Sequence, residues 1–211
     1  MIHDTLPADY YDRSLDNTIQ RYWHNKRFKQ VLGIMKPLYG LLLDIGCDGA
    51  TFTEKIKKFN PNLSIIAVDV SKKFIGYAVG KCSDISYVVS DGQCLPFKEE
   101  SFDVLTCLEV LEHVIDPMTV LKEACRCLKN RGHFIILVPN GSSQLFRIVW
   151  YLWLKGKGKP QRKAHIHQFD EDDIEKQLLT LGFRIVKKEK FHFGMLLLLN
   201  TQKINEECQD D

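Results

Sequence analysis

Short apolar runs that stop at a glycine or an acidic residue, with helical stretches between them, constrain this chain more than any other feature. Leu41-Leu42-Leu43-Asp44-Ile45 stops at Gly46, Ser64 to Val68 is closed by Asp69, and Ile85 to Val89 by Asp91-Gly92. Phe102 to Leu108 leads into Glu109, and Phe134 to Val138 ends at Pro139-Asn140-Gly141. Runs of this kind suit parallel strands buried on both faces. Helical spacing predicts helices over 13–35, 50–58 and 72–81. Another starts at the cap Asp116 with Pro117 in its first position, and Gly132 is its expected stop. A further helix is expected after Asp170, stopped by Gly182. Alternation of strand and helix implies right-handed βαβ units wound into one sheet. The last two strand-like runs, Phe183–Val186 and Met195–Leu199, are separated by only Lys187–Gly194. Parallel strands need a dozen or more connecting residues, so this pair is expected to be an antiparallel hairpin.

The chain has 211 residues, enough for one domain with an elaboration. It divides into an N-terminal helical cap over 1–39, a main domain over 40–205 and a frayed tail over 206–211. An aromatic and basic insertion falls at about 143–163. Lysine and arginine number 29 against 27 acidic residues, a net charge of +2 that by itself argues for no nucleic-acid partner. Seven cysteines without CxxC pairs disfavour a disulfide framework or structural zinc site and fit a reducing, cytoplasmic setting. Residues 1–11 are polar and acidic, unlike a signal peptide. No apolar run approaches the roughly 20 residues that cross a bilayer.

In an open α/β sheet, ligands bind outside the carboxyl ends of the strands, where the strand order reverses. Those ends carry Asp44, Asp48, Asp69 and Asp91, and Gly46 permits a tight turn and close approach of a ligand to the backbone. Asp69 lies 69 − 46 = 23 positions after Gly46, near the spacing at which an acid accepts from ribose hydroxyls. Asp91 is suited to an exocyclic amine. A pyrophosphate at the following helix N-terminus would be repelled by Asp48, and the full G-x-G-x-x-G fingerprint is missing. A cationic, phosphate-free nucleoside such as S-adenosylmethionine fits the same loop. The competing expectation for any one of these aspartates is helix capping or a turn.

These segments resemble the class I S-adenosylmethionine-dependent methyltransferases, most closely the group containing quinone-biosynthesis enzymes. The carrying residues, in family order, are Leu42 to Cys47, Ala67 to Ser71, Ser90-Asp91-Gly92, Leu95-Pro96-Phe97, Ser101 to Val104, Glu109 to Val114 and Leu128–Pro139. The resemblance implies a Rossmann-like, doubly wound α/β sheet of seven strands, mostly parallel with an antiparallel last strand. It also implies that the turn of Asp44, Gly46 and Cys47 holds the methionine moiety of the cofactor, with Asp48 next to it in the cofactor site, and that Asp69, followed by Val70, holds the ribose. Asp91 with Gly92 would meet the adenine, and Leu108 and Glu109 would flank the methyl donor. The family usually has glycines where Asp48 and Ala50 stand, so a shifted turn using Gly49 is one expectation.

Methyl transfer is an in-line displacement from a positive sulfur, so alignment and exclusion of water are the main requirements. No catalytic residue is assigned. Glu109, Glu112 and His113, at i, i+3 and i+4, are expected to share one face of a helical turn. With His167 they form a candidate site for Mg²⁺, Mn²⁺ or Zn²⁺, as in metal-assisted RNA 2′-O-methyltransferases; local capping and pairing is the alternative. The expected acceptor is a small or lipophilic molecule methylated at oxygen. RNA and a cofactor-binding protein without turnover remain the alternatives. The aromatic segment 143–154 is expected to act as core, as a lid, or as a peripheral membrane contact. The N-terminal aromatic residues Tyr10, Tyr11, Tyr22 and Trp23 are expected to fold over the cofactor or to pack conventionally.

Overall fold

The computed structural model describes residues 7–147 and 167–204. A short helix and a long one open it, α1 (Tyr10–Ser14) and α2 (Thr18–Met35). The core follows as β1 (Gly40–Ile45), α3 (Thr51–Phe59), β2 (Leu63–Asp69), α4 (Lys72–Val79), β3 (Ile85–Val89) and β4 (Phe102–Leu108). A 3₁₀ turn at Leu111–His113 leads to α5 (Pro117–Cys127) and β5 (Leu128–Pro139). The chain then resumes with α6 (Glu171–Thr180), β6 (Phe183–Phe191) and β7 (Leu196–Lys203).

The seven strands form one sheet in the order β3-β2-β1-β4-β5-β7-β6. All neighbours are parallel except β7, which runs antiparallel to both β5 and β6. The doubly wound architecture and the closing hairpin are thus as the alternation and the connection length require. Two cores sandwich the sheet. One joins Leu43, Leu105, Phe134 and Val138 to Val120, Leu121 and Ala124 of α5 and Ile174 and Leu178 of α6. The other joins Leu42, Ile65, Val104 and Ile135 to Val31, Ile34 and Met35 of α2, Ile56 of α3 and Ile75 of α4.

Three boundaries differ from expectation, each for a local reason. The helix expected over 13–35 is broken at Leu15–Asn17, because the Asn17 side chain accepts from the amides of Ile19 and Gln20 and starts α2 afresh. Helix α5 has the expected cap, Asp116 accepting from Met118 and Thr119, but it ends at Cys127 rather than at Gly132. Leu128 turns extended and pairs at once with Phe102. The ladder then skips to Val104–His133, so Gly132 sits in an irregular stretch of β5 with Arg131 left-handed. The hairpin connection shrinks to residues 192–195, where His192, Phe193 and Gly194 all take positive φ. Among the described residues no helix is long and apolar enough to cross a membrane.

Candidate functional site

Strand order reverses between β1 and β4, so the crevice at the carboxyl ends of β2, β1 and β4 is where an α/β sheet of this kind takes its ligand. At its centre is the turn after β1. The amides of Gly46 and Cys47 both donate to Val68 O, at 2.8 and 3.0 Å, which folds the turn back over β2. Gly46 has φ +76°, and a Cβ there would overlap Val110 Cγ2, so both conformation and space require glycine. Asp48 and Ala50 are left-handed as well, at φ 51° and 60°. The turn therefore has not slipped to use Gly49. Two non-glycine residues adopt the backbone that glycine would supply, at a cost of about 1 kcal/mol each.

The four aspartates divide by environment. Asp44 is buried, and its two oxygens accept from Thr53 Oγ1 (2.6 Å) and Thr106 Oγ1 (2.7 Å), so it fastens α3 and β4 to β1 beneath the turn. Burial raises its pKa against the pull of those hydroxyls. Asp69 accepts from the amide of Asp48 (3.0 Å) and the amide of Ser71 (2.8 Å), which leaves lone pairs on both oxygens for a ligand. Asp91 is exposed and accepts from the amide of Gln93 at 2.9 Å, while Gln93 Oε1 accepts from the amide of Asp116 (3.0 Å). Beside it, a Cβ on Gly92 would stand 3.0 Å from Ile45 Cγ2.

Asp48 is the unusual member. Its Oδ1 is buried with no hydrogen-bond partner among the described residues. Burial, reinforced by the neighbouring charge of Asp69, pushes its carboxyl up to about 6. A carboxylate in this state is short of a positive partner. The Cys47 thiol, buried against the same acids, is also pushed up and is no nucleophile. Val70 is exposed beside Asp69, and Leu108 is half-buried at the end of β4.

The family model described as a methyltransferase domain matches residues 43–136, the span that contains the carboxyl ends of β1, β2, β3 and β4. Residues 43–136 are a class I S-adenosylmethionine-dependent methyltransferase domain. The chain is 34% identical over 131 residues to a ubiquinone biosynthesis O-methyltransferase of Aliivibrio fischeri, covering 58% of this chain and 55% of that protein. It thus spans about half the length of the curated relatives that it matches. Among solved structures, a methyltransferase of Haloferax volcanii in complex with the activator Trm112 superposes with a TM-score of 0.77 at 16% identity. That match covers 96% of this chain and 98% of the other. The magnesium protoporphyrin IX methyltransferase of Synechocystis, solved with bound S-adenosylhomocysteine, gives 0.71 at 18% identity over 89% of this chain and 88% of that one. At such identities the two structures show the fold.

The N-terminal helices cover this crevice through a network centred on Arg27, which pattern reading passed over. Arg27 is buried on α2 and ion-pairs with Glu109, itself left-handed at φ 57° with its amide on Leu137 O (2.7 Å). Arg27 also donates to Tyr11 OH (2.6 Å), and Tyr11 contacts His24 Nδ1 (2.9 Å). Burial and the adjacent guanidinium push His24 down to about 4, so it is neutral. Arg27 stands on the stripe formed by Phe28, Val31 and Met35, and a lone cation on an apolar stripe was the available signal. Of the aromatics expected over the cofactor, Tyr11 joins this network. Tyr10 and Tyr22 are exposed, and Trp23 stacks on His192 with ring centroids 3.6 Å apart.

The expected metal ligands do not come together. Among the described residues no group of three or more His, Cys, Asp or Glu side chains is placed to hold a metal ion. Glu109 is taken by Arg27. Glu112 is 1% exposed without a side-chain partner among the described residues, and burial pushes its carboxyl up to about 8, so it is protonated at neutral pH. The turn holding His113 is a single 3₁₀ turn, which does not align it with Glu109 as an α-helix would. His167 instead lies against Ile115, Nε2 to O at 3.1 Å, with its amide on Glu112 O. Most of the aromatic and basic insertion, from residue 148 to its end, lies outside the described residues, as does the tail from 205.

Proposed function

We propose that this chain is an S-adenosylmethionine-dependent methyltransferase that moves a methyl group to the oxygen of a small or lipophilic acceptor. The carrying observation is the buried oxygen of Asp48, without a partner among the described residues, in a crevice also lined by Asp69. A positive, phosphate-free ligand removes the penalty on that carboxylate, whereas a pyrophosphate would increase it. The donor set fits S-adenosylmethionine group by group. Asp48 faces its positive charge, Asp69 accepts from the ribose, and Asp91 and Gly92 meet the adenine. Arg27, paired with Glu109, fixes that carboxylate at the end of β4 beside the donor position. Bound there, the cofactor supplies an electrophilic methyl group on a sulfonium. The chain's own contribution is to align the acceptor along the line from Leu108 and Glu109 and to exclude water under α1 and α2.

An oxygen acceptor of quinone-precursor type is supported by the relative from Aliivibrio fischeri, an O-methyltransferase of ubiquinone biosynthesis. The experiment is a titration with S-adenosylmethionine and NAD, followed by transfer of a labelled methyl group to polyprenyl catechols, tRNA and short RNA. Binding of the first cofactor alone and labelling of the catechols is the expected result. Tight NAD binding without a response to S-adenosylmethionine would overturn the cofactor. Label on RNA alone would overturn the acceptor, and binding without any transfer would make the chain a cofactor-binding protein.

A further inference from the structure

We infer that α1 is a strap clasped across the cofactor crevice by Asp12, and that the cofactor enters and leaves by release of that clasp. The inference rests on the crevice being the cofactor site. Asp12 Oδ1 accepts from Thr51 Oγ1 at 2.5 Å, and Oδ2 accepts from Tyr77 OH at 2.8 Å and Lys81 Nζ at 2.9 Å. Those three partners come from the start of α3, from α4 and from the residue just past its cap. The same Lys81 ammonium donates to Gly49 O (3.2 Å) and Thr51 Oγ1 (3.0 Å). One cation therefore ties the strap to the very turn that carries Asp48. From the neighbouring position, Tyr11 reaches Arg27, which is paired with Glu109 at the end of β4. The strap thus bridges the turn after β1, the start of α3 and α4 on one side and, through Arg27, the end of β4 on the other.

What holds it is polar. None of the five residues of α1 is fully buried, and of them Tyr11 packs a ring, against His24 and Phe28, so little apolar surface opposes its lifting and it belongs to the low-stability end of the molecule. Its seat is also fitted to the turn: a Cβ on Gly49 would stand 2.9 Å from Ala8 O and 3.1 Å from the Tyr77 ring. Gly49 has no positive φ, so its lack of a side chain serves the approach of the strap rather than the conformation of the turn. Asp12 is in this sense a positioning residue. It touches the loop, and its charge is satisfied wholly by groups of the protein.

The test is the kinetics of S-adenosylhomocysteine exchange, measured by chase of labelled ligand, with Asp12→Asn and Gly49→Ala beside the wild type. Asp12→Asn removes the charge from the clasp, and Gly49→Ala lifts the strap without altering the carboxylate. Loss of charge-assisted hydrogen bonds shifts a local equilibrium roughly tenfold or more, so association and dissociation are both expected to quicken by about that factor, with Kd changing much less. A raised Kd with unchanged association would mean that Asp12 only shapes the turn and would overturn the strap. Unchanged rates would overturn it too. Amide exchange of residues 10–15 in the ligand-free protein keeps the two readings apart: faster exchange in both variants supports the strap even if no cofactor binds. Equal exchange in wild type and variants would sink it whatever the cofactor does.

Discussion

Two aspartates at opposite ends of the same sheet have opposite fates. Asp103, near the amino end of β4, accepts from the amide of Leu41 (2.8 Å) and from Lys129 Nζ (2.8 Å), and those donors hold its carboxyl below the usual range. Asp48, in the turn after β1, is pushed up to about 6, with one oxygen unpartnered among the described residues. The amino end is satisfied internally and serves stability. The carboxyl end is left incomplete: an oxygen of Asp48 and the carboxyl of Glu112 are both buried without a partner among the described residues. Incompleteness at one end of an otherwise consistent fold marks the place where a ligand finishes the structure.

The largest effects that would sharpen this contrast come from two glycines. Gly40 has φ +97°, and a Cβ there would overlap the Asp103 carboxylate; Gly46 has φ +76° and meets Val110. Alanine at either position is expected to destabilise by about 2–4 kcal/mol, combining a left-handed side chain with a steric clash. Thermal melts should place the two together. Cofactor titration should separate them, with Gly40→Ala retaining wild-type affinity and Gly46→Ala losing at least roughly tenfold. Equal affinity in both variants would break the distinction between the ends.

Asp48→Asn comes next. Because the folded pKa lies above the usual carboxylate value, the penalty on this group is absent below about pH 4, develops up to about 6 and is constant above. The ligand-free variant should therefore be more stable than wild type by about 2 kcal/mol at pH 7 and equal to it at pH 4. Binding of a cation favours the carboxylate, so wild-type affinity should rise between pH 5 and 7 with release of a proton, and the variant should show neither. Asp103 has the opposite sign: its contribution is present at neutral pH and is lost as pH falls through its lowered value. Calorimetry in buffers of different ionisation enthalpy reads the proton directly, and an unchanged heat would count against the role given to Asp48.

The pattern of apolar runs and punctuating acids made the sheet, its closing hairpin and the placement of Asp44, Asp69 and Asp91 legible without coordinates. Three things were not. The break before α2 was hidden because Leu15 and Ile19 fit one helical stripe, while Asn17 reads equally as a helix residue and as a cap. Arg27 was hidden because its partner Glu109 is 82 positions away, and Tyr11, its other contact, lies on a separate helix. The metal set was misread because spacing of i, i+3 and i+4 predicts one face only on an α-helix, and Glu109 lies before a 3₁₀ turn in a left-handed conformation. The turn itself carries the sharpest lesson. Non-glycine residues at 48 and 50 suggest that the backbone has moved, yet the hydrogen bonds to Val68 O and the packing of Val110 hold it where glycine would put it.

The smallest predicted effect measures that strain. Ala50 and Ala78 are both wholly buried alanines, but Ala50 is left-handed before α3 and Ala78 is helical, in the last turn of α4. Replacing either by glycine removes one buried methyl and loosens the unfolded chain, losses of about 1 kcal/mol in each case. At Ala78 that loss stands, whereas at Ala50 relief of the left-handed backbone returns about 1 kcal/mol. Ala78→Gly should therefore lower stability by about 1 kcal/mol while Ala50→Gly stays near wild type, a difference that urea unfolding resolves. The methyl and entropy terms cancel in the comparison, so what remains reports the backbone alone. Equal losses at the two positions would mean that the turn holds no strain and that its shape owes nothing to the ligand it receives.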